Sequence, residues 1–346
     1  MELGIGMFGD LAFDKVTGKP QDPGQKLREM LEEIKLADEV GLDVFGLGEH
    51  HRPDYAVSSP EILLAAAASV TRNIKLMSTV TVLSSAEPVN IYQNFSTIDL
   101  ISGGRAEIGV GRGSFIESFP LFGYDLRDYD TLFEEKLDLL LKINEQENVT
   151  WSGKLRAPMV NQTVYPRAVN DGRLPIWIAV GGTPESVYRA AKLGLPLILA
   201  IIGGMPAQFK PLMDFYKEQY LAHGHNPAKM QAGIHSHTFV SDDERVSDGY
   251  FENYAAQMNR IGTSRGWAPY SRQQYNGGRS RDGALFIGDP SEVTDKILHM
   301  HELFGLTRFI GHMDVGAPDH SVMMKSIELF GTKVAPAVRK ALGKKS

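Results

Sequence analysis

Along this chain, short apolar runs alternate with longer segments in which apolar residues recur every three or four positions. Leu3 to Phe8 is the first such run and predicts a strand. Lys26 to Val40 carries Leu27, Met30, Leu31, Ile34 and Leu36 at helical spacing and stops at Gly41, a residue suited to a C-cap. Asp43 to His51 predicts a buried strand, with Val44, Phe45 and Leu47 apolar and Glu49-His50-His51 at its end. The alternation continues. Strands are predicted at Ile74–Leu83, Ala106–Val110, Pro175–Val180, Leu197–Ile202, Gln231–Val240 and Arg308–His312. Helices are predicted at Ile62–Val70 (opened by Pro60), Val89–Ile101, Thr131–Asn144, Glu185–Leu193, Ala207–Ala222, Asp242–Ile261, Pro290–Phe304 and His320–Leu342.

Strands that alternate with helices run parallel, because each helix carries the chain back to the same edge. Eight repeats in 346 residues fit one α/β domain, a (β/α)8 TIM barrel over residues 1–346, better than two doubly wound domains. Insertions are expected near 113–130, 149–170 and 262–283. The second reads as extended chain. The third reads as a long polar loop, with glycines for hinging and Arg265, Arg272, Arg279 and Arg281 to meet an anion, and so as a lid over the barrel mouth.

Composition removes several classes of function. There is no cysteine, so disulfides, thiolate nucleophiles and cysteine metal sites are excluded. The net charge of -6 has no basic concentration, which argues against nucleic acid. The most apolar run, Leu193 to Ala207, is interrupted by Pro196, Gly203 and Gly204, so no membrane span is expected. The N-terminus enters a strand without a basic leader, and a soluble cytoplasmic protein is expected.

Candidate chemistry lies where strands end, since barrel enzymes work at their C-terminal face. Glu49, His50 and His51 are at one such end, either as site residues or as a hydrogen-bonded rim. Gly111-Arg112-Gly113 places a guanidinium beside free backbone N–H groups, a combination suited to phosphate. Gly181-Gly182-Thr183-Pro184 joins a strand to a helix N-terminus, also suited to an anion, although Thr183 fits equally as an N-cap before Pro184. His235 and His237 are two apart on a strand and face one side. They fit pocket-lining histidines with no metal better than a metal site. Joined with Glu49, His50 and His51, they would make a metallohydrolase, the reading from a different class.

The order and spacing of several segments resemble the bacterial luciferase-like family of flavin-dependent monooxygenases over nearly the full length. These segments are Glu49-His50-His51, Ser78-Thr79-Val80-Thr81-Val82-Leu83 with Pro88, Leu100-Ile101-Ser102-Gly103-Gly104-Arg105, Gly109-Val110-Gly111-Arg112-Gly113, Pro175-Ile176-Trp177-Ile178-Ala179, Gly194-Leu195-Pro196 and Gly288-Asp289-Pro290. The resemblance implies a luciferase-like barrel that binds reduced FMN or, in some branches, F420. It implies cofactor contacts from Thr79, Arg112, Gly181, Gly182, Thr183 and Ser186, and a cis peptide at Thr79-Val80. It implies a catalytic role for His50 in oxygen chemistry, with Glu49, His51, His235 and His237 lining the substrate pocket. The partners implied are O2, a small organic substrate, a separate flavin reductase and a second copy of the chain, joined through the helices at 62–70 and 89–101. An F420-dependent oxidoreductase and a non-catalytic flavin-binding relative are the alternatives on the same fold. The luciferase α subunit has a cysteine where this chain has Gly111, which would leave open space beside the flavin.

Overall fold

The computed structural model describes residues 1–14, 16–113, 115–263 and 265–343. Eight parallel strands close on themselves: β1 (Glu2–Met7), β2 (Val44–Leu47), β3 (Lys75–Ser78), β4 (Ala106–Gly111), β5 (Ile176–Val180), β6 (Leu197–Ala200), β7 (Ala232–Val240) and β8 (Arg308–His312). Each pairs with the next, and β8 returns to β1 in the register Glu2↔Arg308 to Gly6↔His312. Eight helices follow the strands: α1 (Pro23–Glu39), α2 (Pro60–Val70), α3 (Pro88–Ser102), α4 (Tyr129–Glu145), α5 (Pro184–Lys192), α6 (Lys210–Ala222), α7 (Pro290–Phe304) and α8 (His320–Leu329). The predicted (β/α)8 barrel is the observed fold.

Local sequence explains where the helices begin and stop. Asp22 caps α1 by accepting from Gly24 N–H at 3.2 Å and Gln25 N–H at 3.1 Å, with Pro23 in the first turn. Asp289 and Glu292 form a reciprocal capping box on α7. Gly103 and Gly305 end α3 and α7 in the left-handed conformation that glycine adopts without steric cost. The main core lies between helices and strands, while Val44, Met77, Trp177, Ile198 and Ile310 fill the barrel interior. Among the described residues no helix is long and apolar enough to cross a membrane.

The third strand is shorter than predicted. It stops at Ser78, turns through the cis peptide Thr79-Val80 and resumes as Thr81–Val82 against β4. A ninth parallel strand, Phe286–Gly288, extends the edge of β7 and has no counterpart in the prediction. The insertion at 149–170 is extended, as expected, and pairs with itself as the antiparallel ribbon Asn148–Trp151 and Met159–Thr163.

The 262–283 segment departs most. Its residue 264 lies outside the described residues, but Arg272–Arg279 is a helix opened by a capping box between Ser271 and Gln274, with Tyr275 fully buried. Arg272 pairs with Asp248 at 2.8 Å and Arg279 with Glu244 at 2.9 Å. Those two arginines are therefore spent on one neighbouring helix, Glu244–Gly249, Arg281 is exposed away from the mouth cavity, and only Arg265 of the four lines that cavity.

Candidate active site

The C-terminal ends of the strands surround a cavity of about 440 Å³. That volume suits a small organic ligand. His50, Glu49 and His51 enter it from the end of β2, Thr79 from β3, Arg112 from β4, Gly181 and Ser186 from the β5–α5 turn, and His235 and His237 from β7. Gly182 and Thr183 stand just behind this lining, in the turn that carries Ser186.

The adjacent residues Glu49, His50 and His51 have different surroundings. Glu49 Oε1 lies 3.2 Å from His51 Nε2, and Glu49 Oε2 accepts the Val82 N–H at 3.2 Å. Oε2 thus ties the end of β2 to the continuation of the third strand, the rim role, while Oε1 holds the His51 ring beside it. His50 turns into a cage of rings formed by Phe8, Tyr55 and Phe115, with centroids 4.8, 4.3 and 4.7 Å away. Its Nε2 has no partner among the described residues. Burial, then the charge of Arg52, pushes its pKa down to about 3, so the ring is neutral at physiological pH.

His235 and His237 face one side, as strand spacing requires, and His312 at the end of β8 joins them with ring centroids 5.3 and 5.4 Å away. Burial lowers His235 to about 4, lowers His237 to about 3, and takes His312 well below its usual value. His237 Nδ1 is 2.8 Å from Tyr254 Oη, whereas His235 Nε2 has no partner.

These histidines do not assemble with Glu49 around a common point. Among the described residues the one cluster close enough to share a metal is Asp10, His312 and Asp314. Asp314 is already saturated: it accepts the N–H groups of Phe8, Gly9 and Asp10 at 3.1, 2.7 and 3.1 Å and faces His312 Nε2 at 3.3 Å. A carboxylate with its lone pairs committed in this way is a clamp on the loop after β1, not a metal ligand.

On the opposite wall, Arg112 Nη2 reaches Ser186 Oγ at 3.1 Å and Thr183 Oγ1 at 3.3 Å, and Thr183 Oγ1 donates to Ser186 Oγ at 2.9 Å. Thr183 therefore does not cap α5, and no side chain does. The helix N-terminus is left open beside a guanidinium, with Gly182 at φ +122°, and a Cβ built on Gly181 would meet nothing within 4 Å. Arg112 also pairs with Asp130 at 2.6 Å, a partner that is 69% exposed and so easily exchanged.

The Thr79-Val80 cis peptide is wedged between two strands at glycines. A Cβ at Gly46 would come within 2.5 Å of Thr79 Cγ2, and one at Gly111 within 2.7 Å of Val80 Cγ2. The open space expected at Gly111 is thus filled by Val80, and a cysteine there would require Val80 to move. Thr79 Oγ1 is buried without a partner.

Eleven buried side-chain polar atoms lack a partner among the described residues. Six of them belong to this cavity: those of Asp10, His50, Thr79, Glu117, Ser118 and His235. Buried polar atoms are ordinarily paired, so this concentration marks a place built for a polar ligand. Sequence reasoning missed Asp10, Tyr55, Glu117, Ser118, Gln257 and His312. For His312 the signal was present, since it ends a predicted strand as His50 follows one.

The sequence profile of the luciferase-like monooxygenases matches residues 7–307. The chain is 26% identical to 4-hydroxyprotoasukamycin monooxygenase of Streptomyces nodosus subsp. asukaensis, over 91% of this chain and 88% of that one. Its fold is that of monooxygenase RslO1 from Streptomyces bottropensis, with a TM-score of 0.84, 23% identity and coverage of 97% and 99% of the two chains. It is also that of the oxygenating constituent of 3,6-diketocamphane monooxygenase from Pseudomonas putida, solved with FMN, with a TM-score of 0.74, 21% identity and coverage of 97% and 98%.

Proposed function

Because the chain belongs to the luciferase-like monooxygenase family, we propose that it is a flavin-dependent monooxygenase that uses reduced FMN and O2 on a small organic substrate. The observation that carries this reading is the pairing, within one cavity, of an uncapped helix N-terminus backed by Arg112 with a deeper row of buried, unpartnered polar atoms. The first suits a phosphate and the second the polar edge of a flavin ring. Arg112, Thr183, Ser186 and the Gly181-Gly182 backbone would hold the phosphate, with Asp130 giving way to it. Thr79 Oγ1 would meet the ring. Bound reduced flavin would supply the electrons that activate O2.

The chain's own contribution is exclusion of water and handling of protons. Phe8, Phe115, Trp267 and Val315 line the cavity with apolar surface. His50, neutral and unpaired at Nε2, would exchange a proton at the reacting centre. The reading includes supply of reduced FMN by a separate reductase. It also includes homodimerisation through α2 and α3, which expose Ile62, Val70, Leu100 and Ile101.

Titration with FMN and with F420, followed by absorbance and combined with a metal assay, tests the reading. FMN binding followed by O2 consumption supports it. Binding of F420 alone turns it into an oxygen-independent hydride transfer. Flavin binding without turnover of any reduced or oxidised partner leaves a non-catalytic relative. His50→Ala is expected to keep FMN affinity and lose about 10²–10⁴-fold in turnover. Unchanged turnover would remove the role of His50.

A further inference from the structure

Behind the cavity, at the seam where β1 and β8 pair, a series of buried ionisable side chains leads outward. Asp10, in the loop after β1, lines the cavity and is 2% exposed. Its Oδ2 accepts the Gly316 N–H at 2.9 Å, while its Oδ1 has no partner among the described residues. Lys26, in the first turn of α1, is 3% exposed and lies in the field of Glu33, Asp314 and Asp10. Among the described residues it makes no direct ion pair with any of them. Glu33 is two turns further along the same face of α1 and is 1% exposed. Its Oε1 meets His320 Nδ1 at 3.0 Å, and its Oε2 has no partner among the described residues. His320 opens α8, which packs on α1, and its Nε2 lies 3.1 Å from Glu32, an exposed residue.

A purely structural cluster would close these contacts, because a buried charge without direct partners is costly. Here Asp10 Oδ1, the Lys26 ammonium and Glu33 Oε2 all keep hydrogen-bonding capacity, in sequence from cavity to surface. Polar gaps of this kind are places for bridging water. Burial, then the charge of Asp314, raises the Asp10 carboxyl well above the usual range, so Asp10 holds its proton more tightly than an ordinary aspartate. Burial likewise raises Glu33. The reduction of oxygen to water takes up protons along with electrons, and a site that excludes water needs another source for them.

We propose that Asp10, Lys26, Glu33 and His320 form a proton-exchange route from the surface, through the seam between α1 and α8, to the cavity. The inference rests on the oxygenase reading above. Asp10 gives its carboxyl proton to a base formed in the cavity and becomes a carboxylate. It takes a proton through water from the Glu33 carboxyl, with the Lys26 ammonium orienting that water, and His320 returns one to Glu33 from bulk solvent. One proton enters per passage, and only O–H and N–H bonds form or break. Lys26, Glu33 and His320 are positioning and exchange residues that touch no substrate.

The test mixes FMN-reduced protein with oxygenated, weakly buffered solution containing a pH indicator, so that proton uptake and flavin reoxidation are timed separately. Glu33→Gln and Lys26→Met should bind FMN normally and slow proton uptake by about tenfold or more. His320→Gln, a change at a part-exposed position that leaves the fold intact, should slow it less, and imidazole in the buffer should restore it. Wild-type uptake rates in Glu33→Gln and His320→Gln, with FMN bound normally, would overturn the route. Failure of the wild type to bind reduced FMN would instead sink the oxygenase reading. The flavin-free protein then decides the route: the infrared carbonyl band of Asp10, assigned with Asp10→Asn, should shift in D2O more slowly in His320→Gln and Glu33→Gln than in wild type, and equal rates would overturn it.

Discussion

At the floor of the barrel, Arg308 is 1% exposed and each of its guanidinium nitrogens is engaged. Its Nε and Nη2 lie 2.8 and 2.5 Å from Glu2 Oε2, Nη1 lies 2.6 Å from Glu107 Oε2, and the guanidinium covers the Trp177 ring at 4.0 Å. Lys75 completes the set at 2.6 Å from Glu2 and 3.1 Å from Glu107. Four strands are stitched together there, with little hydrogen-bonding capacity left over. At the mouth, six buried polar atoms engage no described residue and four histidines are held neutral. Both ends carry buried polar groups, so burial alone does not distinguish a structural cluster from a working one. Completeness of pairing does. The floor has spent its polar capacity on the fold, and the mouth has kept its capacity for a ligand.

The largest expected difference between the ends appears in acid. His50, His235, His237 and His312 have pKa values lowered by folding, so below the unfolded value near 6.5 the unfolded chain binds protons that the native one does not. Stability then falls as pH falls. Asp10 and Glu33, raised by folding, act in the opposite sense and offset part of this loss. Each histidine held at about 3 or 4 costs roughly 2 kcal/mol of stability between pH 6.5 and 4.5, and a net loss is expected. Urea unfolding across that range checks it, and a flat profile would mean that the mouth histidines are solvated and not held neutral.

Next in size, Arg308→Met leaves the carboxylates of Glu2 and Glu107 short of their partner and should cost roughly 3–5 kcal/mol in unfolding free energy. The folded fraction should retain FMN affinity. A loss of affinity without a loss of stability would invert the roles assigned to the two ends. Smallest is Arg112→Ala. It should weaken FMN binding by about 1.5–3 kcal/mol and alter stability by no more than about 0.5 kcal/mol. FMN affinity equal to wild type by fluorescence titration would remove the phosphate assignment.

How much of this was legible in the chain depends on distance along it. The eight strands announce themselves, because each is an apolar run between helix caps. The strand at Phe286–Gly288 does not, being three residues long and ending two positions before Pro290. The helix at 272–279 had a readable start, Ser271 with Gln274 three residues on, but Gly277 and Gly278 argue for a loop until the burial of Tyr275 is known. Arg112 and the Gly181-Gly182-Thr183 turn were legible as separate anion signals and Ser186 only through the family resemblance, and their contact across two strand ends was not legible. Asp10, His312 and Asp314 come together from loops some 300 residues apart, a meeting that no local pattern reports. The filling of the Gly111 space by Val80 also depends on neighbouring strands.

The pairing of Glu2 with Arg308 has a consequence for how the chain is made. The two residues are separated by 306 positions. At about 5–20 residues per second, Glu2 leaves the ribosome some tens of seconds before its partner. Throughout that interval β1 has no neighbour on one side, and the carboxylates of Glu2 and Glu107 have only Lys75 and water. The barrel therefore cannot close until Arg308 has been made, and through that interval the nascent chain carries an open, apolar sheet edge, the condition under which a chain most needs a chaperone.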